Sequence, residues 1–284
     1  MKIDRDSRKF FEAEDSEPLL RIRNLSKDYV QRRPLTRRGV IVRALENVNL
    51  TIRRGTTLAL VGESGAGKST LGRCVALLER PTQGEIWFAG ENLLACPPKR
   101  LLPIRRQIQF IFQDPTTALN PRMTAGEIIS EPLAVQREGT NASRRERSRA
   151  LLTQVGLPAD AEQKRPLEFS GGQRQRLAIA RALSLEPQLL VLDEALASLD
   201  LRNQEMILGL LSDLQAAHAL TYLHISHDLR MVAEFADEVA VMHEHQIVEQ
   251  KSAAELFARP EHSHTRMLLE AMPALESICM ERRA

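Results

Sequence analysis

The sequence predicts an α/β fold with a core sheet of mostly parallel strands, an antiparallel β subdomain and an inserted helical subdomain. Two apolar runs, 58–61 and 188–192, have the composition of buried strands. The run 19–25 alternates apolar and polar residues, which indicates an edge strand. Between residues 124 and 183 the pattern becomes helical, and a strand-like run then returns. We therefore expect a helical insertion in the core.

Strands and helices alternate along most of the chain. We expect strands at 19–25, 44–52, 57–61, 85–88, 108–113, 188–192 and 221–225, and a hairpin of strands 238–242 and 246–249. We expect helices at 71–79, 143–152, 173–183, 201–217 and 231–235. The charged segment 1–18 is predicted to be a mobile tail, and the Arg-rich segment 31–43 an exposed loop or hairpin tip.

Composition limits the classes of protein that the chain can represent. With 284 residues, 43% of them hydrophobic, it can form one large domain with a proper core. A net charge of +2 and an aromatic content of 4% argue against nucleic-acid binding. The scattered cysteines, Cys74, Cys96 and Cys279, favour reduced thiols in the cytosol. Neither a signal peptide nor an apolar run of membrane-spanning length is found, so we expect any action at a membrane to require a partner.

A glycine-rich loop follows the predicted strand 57–61 and precedes a predicted helix. Its residues are Gly62, Glu63, Ser64, Gly65, Ala66, Gly67, Lys68, Ser69 and Thr70. They fit the pattern Gly-x-x-x-x-Gly-Lys-Ser of a phosphate-binding loop, whose backbone N–H groups cradle phosphates. We expect Lys68 to reach the β- and γ-phosphates and Ser69 to bind Mg²⁺. The strand and the helix around the loop argue against a chance glycine-rich turn.

The apolar run 189–192 delivers two carboxylates at its end, Asp193 and Glu194. Asp193 is placed to hold Mg²⁺, and Glu194 to polarise an attacking water. Taken alone, the two acids could equally stabilise the N-terminus of the helix that follows. The phosphate loop in the same chain favours the catalytic interpretation.

A second phosphate-binding device lies at the start of the predicted helix 173–183. Gly171 and Gly172 allow backbone N–H groups to approach an anion closely, and Ser170 adds a hydroxyl donor next to Gln173. A helix N-terminus also favours negative charge. The chain therefore carries two such devices, and the question is whether one nucleotide can contact both.

The order of these motifs resembles the nucleotide-binding subunit of ABC transporters. The resemblance covers residues 19 to about 273 and rests on six pieces in the family order: the phosphate loop, Gln113, the signature 169–173, the pair Asp193 and Glu194, the segment 197–200, and His227. It is most similar to ATPases of oligopeptide, dipeptide and nickel importers, on the segments 62–65, 112–122 and 262–266.

The resemblance implies roles for several further residues. Tyr29 would stack on adenine, the alternative being an ordinary strand aromatic. Gln113 would contact Mg²⁺ and the attacking water and sense the membrane partner. His227 would contact the γ-phosphate, although a lone histidine after a strand is more often structural. Asp200 would lie in a loop that crosses a dimer interface. The signature would serve an ATP held by a second subunit.

The resemblance also implies an architecture, cofactors and partners. A P-loop ATPase core would occupy residues 19–260, with its helical subdomain at about 115–185 and a C-terminal extension at 261–284.

ATP and Mg²⁺ would be the cofactors. Integral membrane permeases, a second ATPase subunit of the same or a different kind, and indirectly an external binding protein would be the partners. The chain would then work on the cytoplasmic side of the inner membrane, in import of peptides or, alternatively, of nickel. A soluble ABC ATPase of translation or repair, and a non-hydrolysing module, are the rival interpretations.

Some segments depart from the family pattern or carry weak signals. Ala195 and Leu196 stand where Pro and Thr are common, and the segment 262–266 reads His-Ser-His-Thr-Arg in place of His-Pro-Tyr-Thr-Arg. We interpret the histidine pairs 243/245 and 262/264 as solvated loop residues and not as metal ligands. The arginines at 144, 145, 147 and 149 are interpreted as a solvated face.

Overall fold

The computed structural model describes residues 17–32 and 39–271. The strands are β1 Leu20–Arg32, β2 Gly39–Ile52, β3 Thr57–Gly62, β4 Gln83–Phe88, β5 Glu91–Asn92, β6 Ile108–Ile111, β7 Leu189–Asp193, β8 Thr221–Ile225, β9 Glu238–His243 and β10 Gln246–Ser252. The helices are α1 Lys68–Val75, α2 Pro98–Gln107, α3 Pro115–Ala118, α4 Ala125–Val135, α5 Asn141–Gln154, α6 Gly171–Leu183, α7 Leu201–His218, α8 Leu229–Phe235, α9 Ala253–Ala258 and α10 Ser263–Glu270. Most of the predicted N-terminal tail, the tip 33–38 and part of the C-terminal extension, including Cys279, lie outside the described residues.

The core is a six-stranded sheet in the order β10-β9-β3-β8-β7-β6. Its strands are parallel except β10, which forms the expected antiparallel hairpin with β9. All residues of β3, β7 and β8 are buried, including Gly62, with which the glycine-rich loop begins. A parallel sheet with both faces covered explains the continuous apolar runs of the sequence. The predicted α/β fold is confirmed.

A second, antiparallel sheet has the order β2-β1-β4-β5. The edge-strand prediction for 19–25 is wrong, because β1 lies between β2 and β4 and extends to Arg32. The predicted loop 31–43 is shorter than expected, since β1 and β2 pair as far as Arg32 and Gly39. Register shifts between Ile22 and Asp28 interrupt the alternation that would have shown the full length of β1.

The helices α3 to α6 form the insertion between β6 and β7. They pack around a shared apolar core that includes Ile128, Leu152, Phe169 and Ile179. The prediction that the arginines of α5 form a solvated face is incomplete, because two of them pair with a buried carboxylate. Arg145 and Arg149 each lie 2.7 Å from a carboxylate oxygen of buried Glu162, and the two arginine side chains remain about half exposed. Long-range pairing of this kind leaves no periodic signal in the sequence.

The histidines at 243 and 264 also differ from the prediction. Their rings stack with centroids 3.7 Å apart, and His264 is only 2% exposed. The C-terminal helix α10 thus packs on the end of β9, a contact that the sequence spacing does not reveal. Cys74 and Cys96 are free thiols. Across the ranges 17–32 and 39–271, no helix has the length and apolar character needed to cross a bilayer.

Candidate nucleotide-binding site

The glycine-rich loop connects β3 to α1 in the core sheet. Gly62 and Gly67 both have positive φ, at 147° and 108°. A Cβ atom at Gly62 would lie 2.1 Å from the carbonyl oxygen of Met242, and one at Gly67 would lie 2.3 Å from that of Ala44. Because backbone atoms cannot give way, these two positions require glycine. The loop is therefore fixed against β2 and β9 before any ligand arrives.

Lys68 is the first residue of α1 and is folded back on this loop. Its Nζ atom donates hydrogen bonds of 2.8 Å to the carbonyl oxygens of both Gly62 and Glu63. The residue is 6% exposed. Burial lowers the pKa of the Lys68 ammonium, and the carboxylates of Glu194 and Asp193 act in the opposite direction. An ammonium held by neutral carbonyls can exchange them for phosphate oxygens.

Ser69 and Asp193 join the loop to the end of β7. The Ser69 hydroxyl donates to Asp193 Oδ1 at 2.8 Å. Burial raises the pKa of the Asp193 carboxyl, and the Ser69 hydrogen bond opposes the rise. Hydroxyl and carboxylate oxygens are the hard ligands that Mg²⁺ prefers, completed by water and substrate phosphates. Among the described residues, no group of three or more His, Cys, Asp or Glu side chains is placed to hold a metal.

Glu194 follows directly and has an unusual backbone conformation. Its φ of 47° lies in the left-handed region, and its N–H donates to the Ile225 carbonyl at 3.0 Å. For a non-glycine residue this conformation costs free energy and is typical of functional sites. Its carboxylate accepts a 3.1 Å hydrogen bond from Gln113 Nε2 and lies 3.6 Å from His227 Nδ1. Gln113, Glu194 and His227, from three distant segments of the chain, thus converge.

Tyr29 lies on β1, apart from these carboxylates. Its hydroxyl is hydrogen-bonded to the Glu79 carboxylate, and Lys27 Nζ lies 4.8 Å from the centre of its ring. Burial raises the pKa of the Tyr29 phenol, and the Glu79 hydrogen bond adds to the rise. The ring is half-buried, with the Lys27 ammonium over it. Stacking of Tyr29 on adenine remains a prediction.

The signature forms the N-terminus of α6. Ser170 Oγ accepts the Gln173 N–H at 3.3 Å, and Gln173 Oε1 accepts the Ser170 N–H at 2.9 Å, which together close a capping box. Ser170, Gly171 and Gln173 are exposed. The capping box fixes the helix start, and the exposed N-terminus presents N–H groups to solvent.

Asn203 is a residue that sequence reasoning missed. A Cβ atom at Gly172 would lie 2.5 Å from Asn203 Oδ1, so the two residues are in close contact. Asn203 in turn donates to Asp200, from its N–H at 2.9 Å and from Nδ2 at 2.7 Å. The signature helix is thereby coupled to the loop that carries Asp200. The local sequence signal for Asn203 is its position, three residues after Asp200, which is the N-cap of α7.

The two phosphate-binding devices belong to different parts of the chain. Phe169 packs in the core formed mainly by the helical insertion, whereas Ala66 and Leu71 pack in the core beneath the antiparallel sheet. The loop, with Lys68 and Ser69 facing two carboxylates at the end of a parallel strand, defines a P-loop nucleotide-binding protein.

Comparison with known proteins extends this conclusion. The family described as ABC transporter matches residues 45–197. A "Putative peptide import ATP-binding protein" of Brucella ovis is 46% identical over 90% of this chain and 79% of its own length. The dipeptide transport ATP-binding protein DppF of Escherichia coli is 41% identical over 93% of this chain and 79% of its own. A dimeric structure of the ATP-binding cassette MJ0796 bound to ADP and Pi has a TM-score of 0.72 at 30% identity and covers 82% of this chain and 98% of that one.

The chain belongs to the ABC transporter family, and within it to the ATP-binding, ATP-hydrolysing cassettes. The resemblance inferred from the motifs is confirmed. The roles of the individual site residues and the domain boundaries remain predictions.

Proposed function

We propose that this chain is the ATP-hydrolysing subunit of an importer of peptides, with dipeptides or oligopeptides as cargo. The convergence of Gln113, Glu194 and His227 beside the Ser69–Asp193 pair carries the hydrolytic part of the proposal. The names of the relatives in Brucella ovis and Escherichia coli support the peptide cargo. No observation favours nickel over peptides.

The loop residues 62–70 bind the phosphates of ATP in this proposal. Lys68 leaves the carbonyls of Gly62 and Glu63 for the β- and γ-phosphates. Ser69 Oγ, Asp193 and Gln113 would hold Mg²⁺, which would supply positive charge that offsets the charge on the phosphate oxygens. Each of these groups lies on an element anchored in the core sheet, so little reorganisation is needed when the nucleotide arrives.

Glu194 orients the attacking water and accepts its proton. The Gln113 amide, 3.1 Å away, fixes one carboxylate oxygen, and the other faces His227. His227 contacts the γ-phosphate and helps to place the water between it and Glu194. The strained backbone of Glu194, anchored to Ile225, keeps the carboxylate in this position. Tyr29 supports the adenine ring.

A second ATPase subunit completes the site. The signature, residues 170–173, covers the γ-phosphate of an ATP bound to that subunit, and the partner's signature covers the ATP of this chain. The partner is either a second copy of this chain or a different cassette. The exposed Ser170 hydroxyl and the α6 N-terminus support this arrangement, because both are free to meet an anion from outside. The dimeric state of the MJ0796 cassette supports it as well.

Permease subunits couple the cassettes to transport on the cytoplasmic side of the inner membrane, and an external binding protein delivers the peptide. The segment 120–132, just after Gln113, is the candidate docking surface, with exposed Arg122 at its start. Reconstituted transporter with Arg122→Glu is expected to assemble less well and to import less peptide. Unchanged assembly and uptake would remove this segment from the proposal.

Glu194→Gln tests the hydrolytic role. We expect ATP hydrolysis to fall by about 100-fold or more, because a general base contributes that much, while ATP binding persists. The ATP-bound variant should accumulate as a dimer, since hydrolysis no longer reverses dimerisation. Glu205→Gln, an exposed residue of α7, is the matched control. Hydrolysis at the parent rate by Glu194→Gln, measured as phosphate release, would contradict the proposal.

A further inference from the structure

A buried histidine lies one strand position from the Ile225 carbonyl that anchors Glu194. His224 is in the centre of the core sheet on β8 and is 1% exposed. Its ring meets the edge of the Phe235 ring, with centroids 5.7 Å apart at 80°. Burial lowers the pKa of His224 to about 4. The imidazole is therefore neutral at pH 7 and keeps one donor and one acceptor nitrogen.

This polar group is incompletely satisfied. His224 Nδ1 is buried and has no hydrogen-bond partner within residues 17–32 and 39–271. Leaving such a nitrogen unpaired costs about 1–3 kcal/mol, so buried polar groups of this kind are normally paired with protein or ordered water. An apolar side chain would fill the same place on β8 without that cost. The central sheet therefore carries a polar nitrogen that no group of the described residues satisfies.

An open cavity of about 110 Å³ lies next to this ring. Glu194 and His227 line it, together with His224, Ser226 and Gln204. This volume is well above the minimum for one water, so the cavity accommodates several, and its polar lining supplies the hydrogen bonds that such waters need. The cavity therefore borders Glu194 and His227, which are assigned to the attacking water, and also the buried imidazole of His224.

We propose that His224 is a positioning residue for ATP hydrolysis, which holds ordered water in this cavity and through that water fixes Glu194 and His227. The inference rests on the proposed catalytic role of Glu194. A neutral imidazole suits this task because it can donate to one water and accept from another without a change of charge. Ser226 and Gln204 provide further hydrogen-bonding groups along the same cavity wall. The carboxylate of Glu194 is thereby held from behind by water and from the side by Gln113.

Two substitutions of His224 separate this role from packing. His224→Phe keeps an aromatic ring beside Phe235 but removes both nitrogens, whereas His224→Asn keeps a polar nitrogen near the place of Nδ1. We expect kcat for ATP hydrolysis to fall about tenfold in His224→Phe, with KM and the Kd for ATP unchanged within about twofold. His224→Asn should restore at least half of the parent kcat. Tyr222→Phe is the control and should keep the parent kcat. Tyr222 lies on the same strand as His224, and this substitution removes a buried hydroxyl that donates to the Leu211 carbonyl in α7.

The assay uses the full-length chain in the assembled transporter, so that either kind of partner subunit is present, with thermal unfolding of the purified chain as a check of folding. A parent-like kcat in His224→Phe, or a folded His224→Asn that is as slow as His224→Phe, would overturn the inference. Should His224→Phe not fold, a crystal structure of the unmodified chain decides, since it must show water within about 3.2 Å of a His224 nitrogen. Glu194→Gln is measured in parallel. If Glu194→Gln is inactive and His224→Phe is parent-like, this inference alone fails; if Glu194→Gln is fully active, the proposed function fails.

Discussion

The phosphate loop and the signature both present N–H groups at the N-terminus of a helix, yet their surroundings differ. Around the loop, side chains bond to other segments of the same chain, although Glu63, Ser64 and Gly65 are exposed. Lys68 is buried, Ser69 donates to Asp193, and Glu194 accepts from Gln113. The polar side chains of the signature, Ser170 and Gln173, bond back to the helix they cap and are exposed.

This difference supports the proposal that the active site is divided between two subunits. In the loop region, an ammonium, a hydroxyl and two carboxylates lie close together. One chain can therefore preorganise these groups for a bound nucleotide. The signature presents an exposed hydroxyl and a helix N-terminus, and its side-chain hydrogen bonds close only the capping box of α6. We therefore expect substitutions in the loop to affect ATP binding by the isolated chain, and substitutions in the signature to affect hydrolysis alone.

Lys68→Ala should give the largest effect on the loop side of this comparison. The Kd for ATP is expected to rise about 100-fold, because a charged hydrogen-bond donor to the phosphates is lost. Isothermal titration of the isolated chain measures this change. Lys99→Ala, an exposed lysine of α2, should bind ATP as the parent does. Parent-like affinity in Lys68→Ala would mean that the loop does not hold the phosphates.

Gly172→Ala should give an intermediate effect on the signature side. The new methyl group would press on Asn203, which holds Asp200, so the coupling between α6 and that loop should be disturbed. We expect ATP hydrolysis by the dimer to fall about tenfold, while the isolated chain binds ATP normally. Gly209→Ala in α7, where a Cβ meets nothing within 4 Å, is the matched control for phosphate release. Equal rates in both variants would exclude a functional link from Gly172 to Asp200.

Glu162→Gln should give the smallest effect, on the stability of the helical insertion. Its carboxylate pairs with Arg145 and Arg149, and these hydrogen bonds hold its pKa below the usual value despite the opposing effect of burial. Because both arginines are about half exposed, we expect a loss of only about 1–2 kcal/mol and a Tm lower by a few degrees. Glu146→Gln, exposed on α5, should leave the Tm unchanged in differential scanning calorimetry. A lower ATP affinity in Glu162→Gln would contradict the separation of the two regions.

Local patterns in the sequence predicted the elements around both devices well. The strand 221–225 coincides with β8, and the helix after the signature begins within two residues of the prediction. Both succeed because their signals are local: an apolar run in one case, and a helical pattern directly after a glycine pair in the other. The long strand β1 failed because its register shifts break the alternation on which the prediction rests.

Features that depend on distant segments could not be predicted from periodicity. The positive φ of Glu194 arises where β7 meets the end of β8, and nothing in the local sequence requires it. The stacking of His243 on His264 joins β9 to α10, and the contact of Gly172 with Asn203 joins α6 to α7. The motif order names the candidate reactive residues, whereas the tertiary contacts around them appear only in the fold.

Ser170→Arg tests the division of labour between the two regions most directly. The Kd of the isolated chain for ATP, measured by isothermal titration, should stay within about twofold of the parent, while hydrolysis at the partner's site is abolished. Thr140→Arg makes the same change at the exposed N-cap of α5, and so controls for the loss of a helix cap. A tenfold or greater rise in the Kd of Ser170→Arg, with Thr140→Arg unaffected, would contradict the account, because the signature would then bind the nucleotide of its own chain.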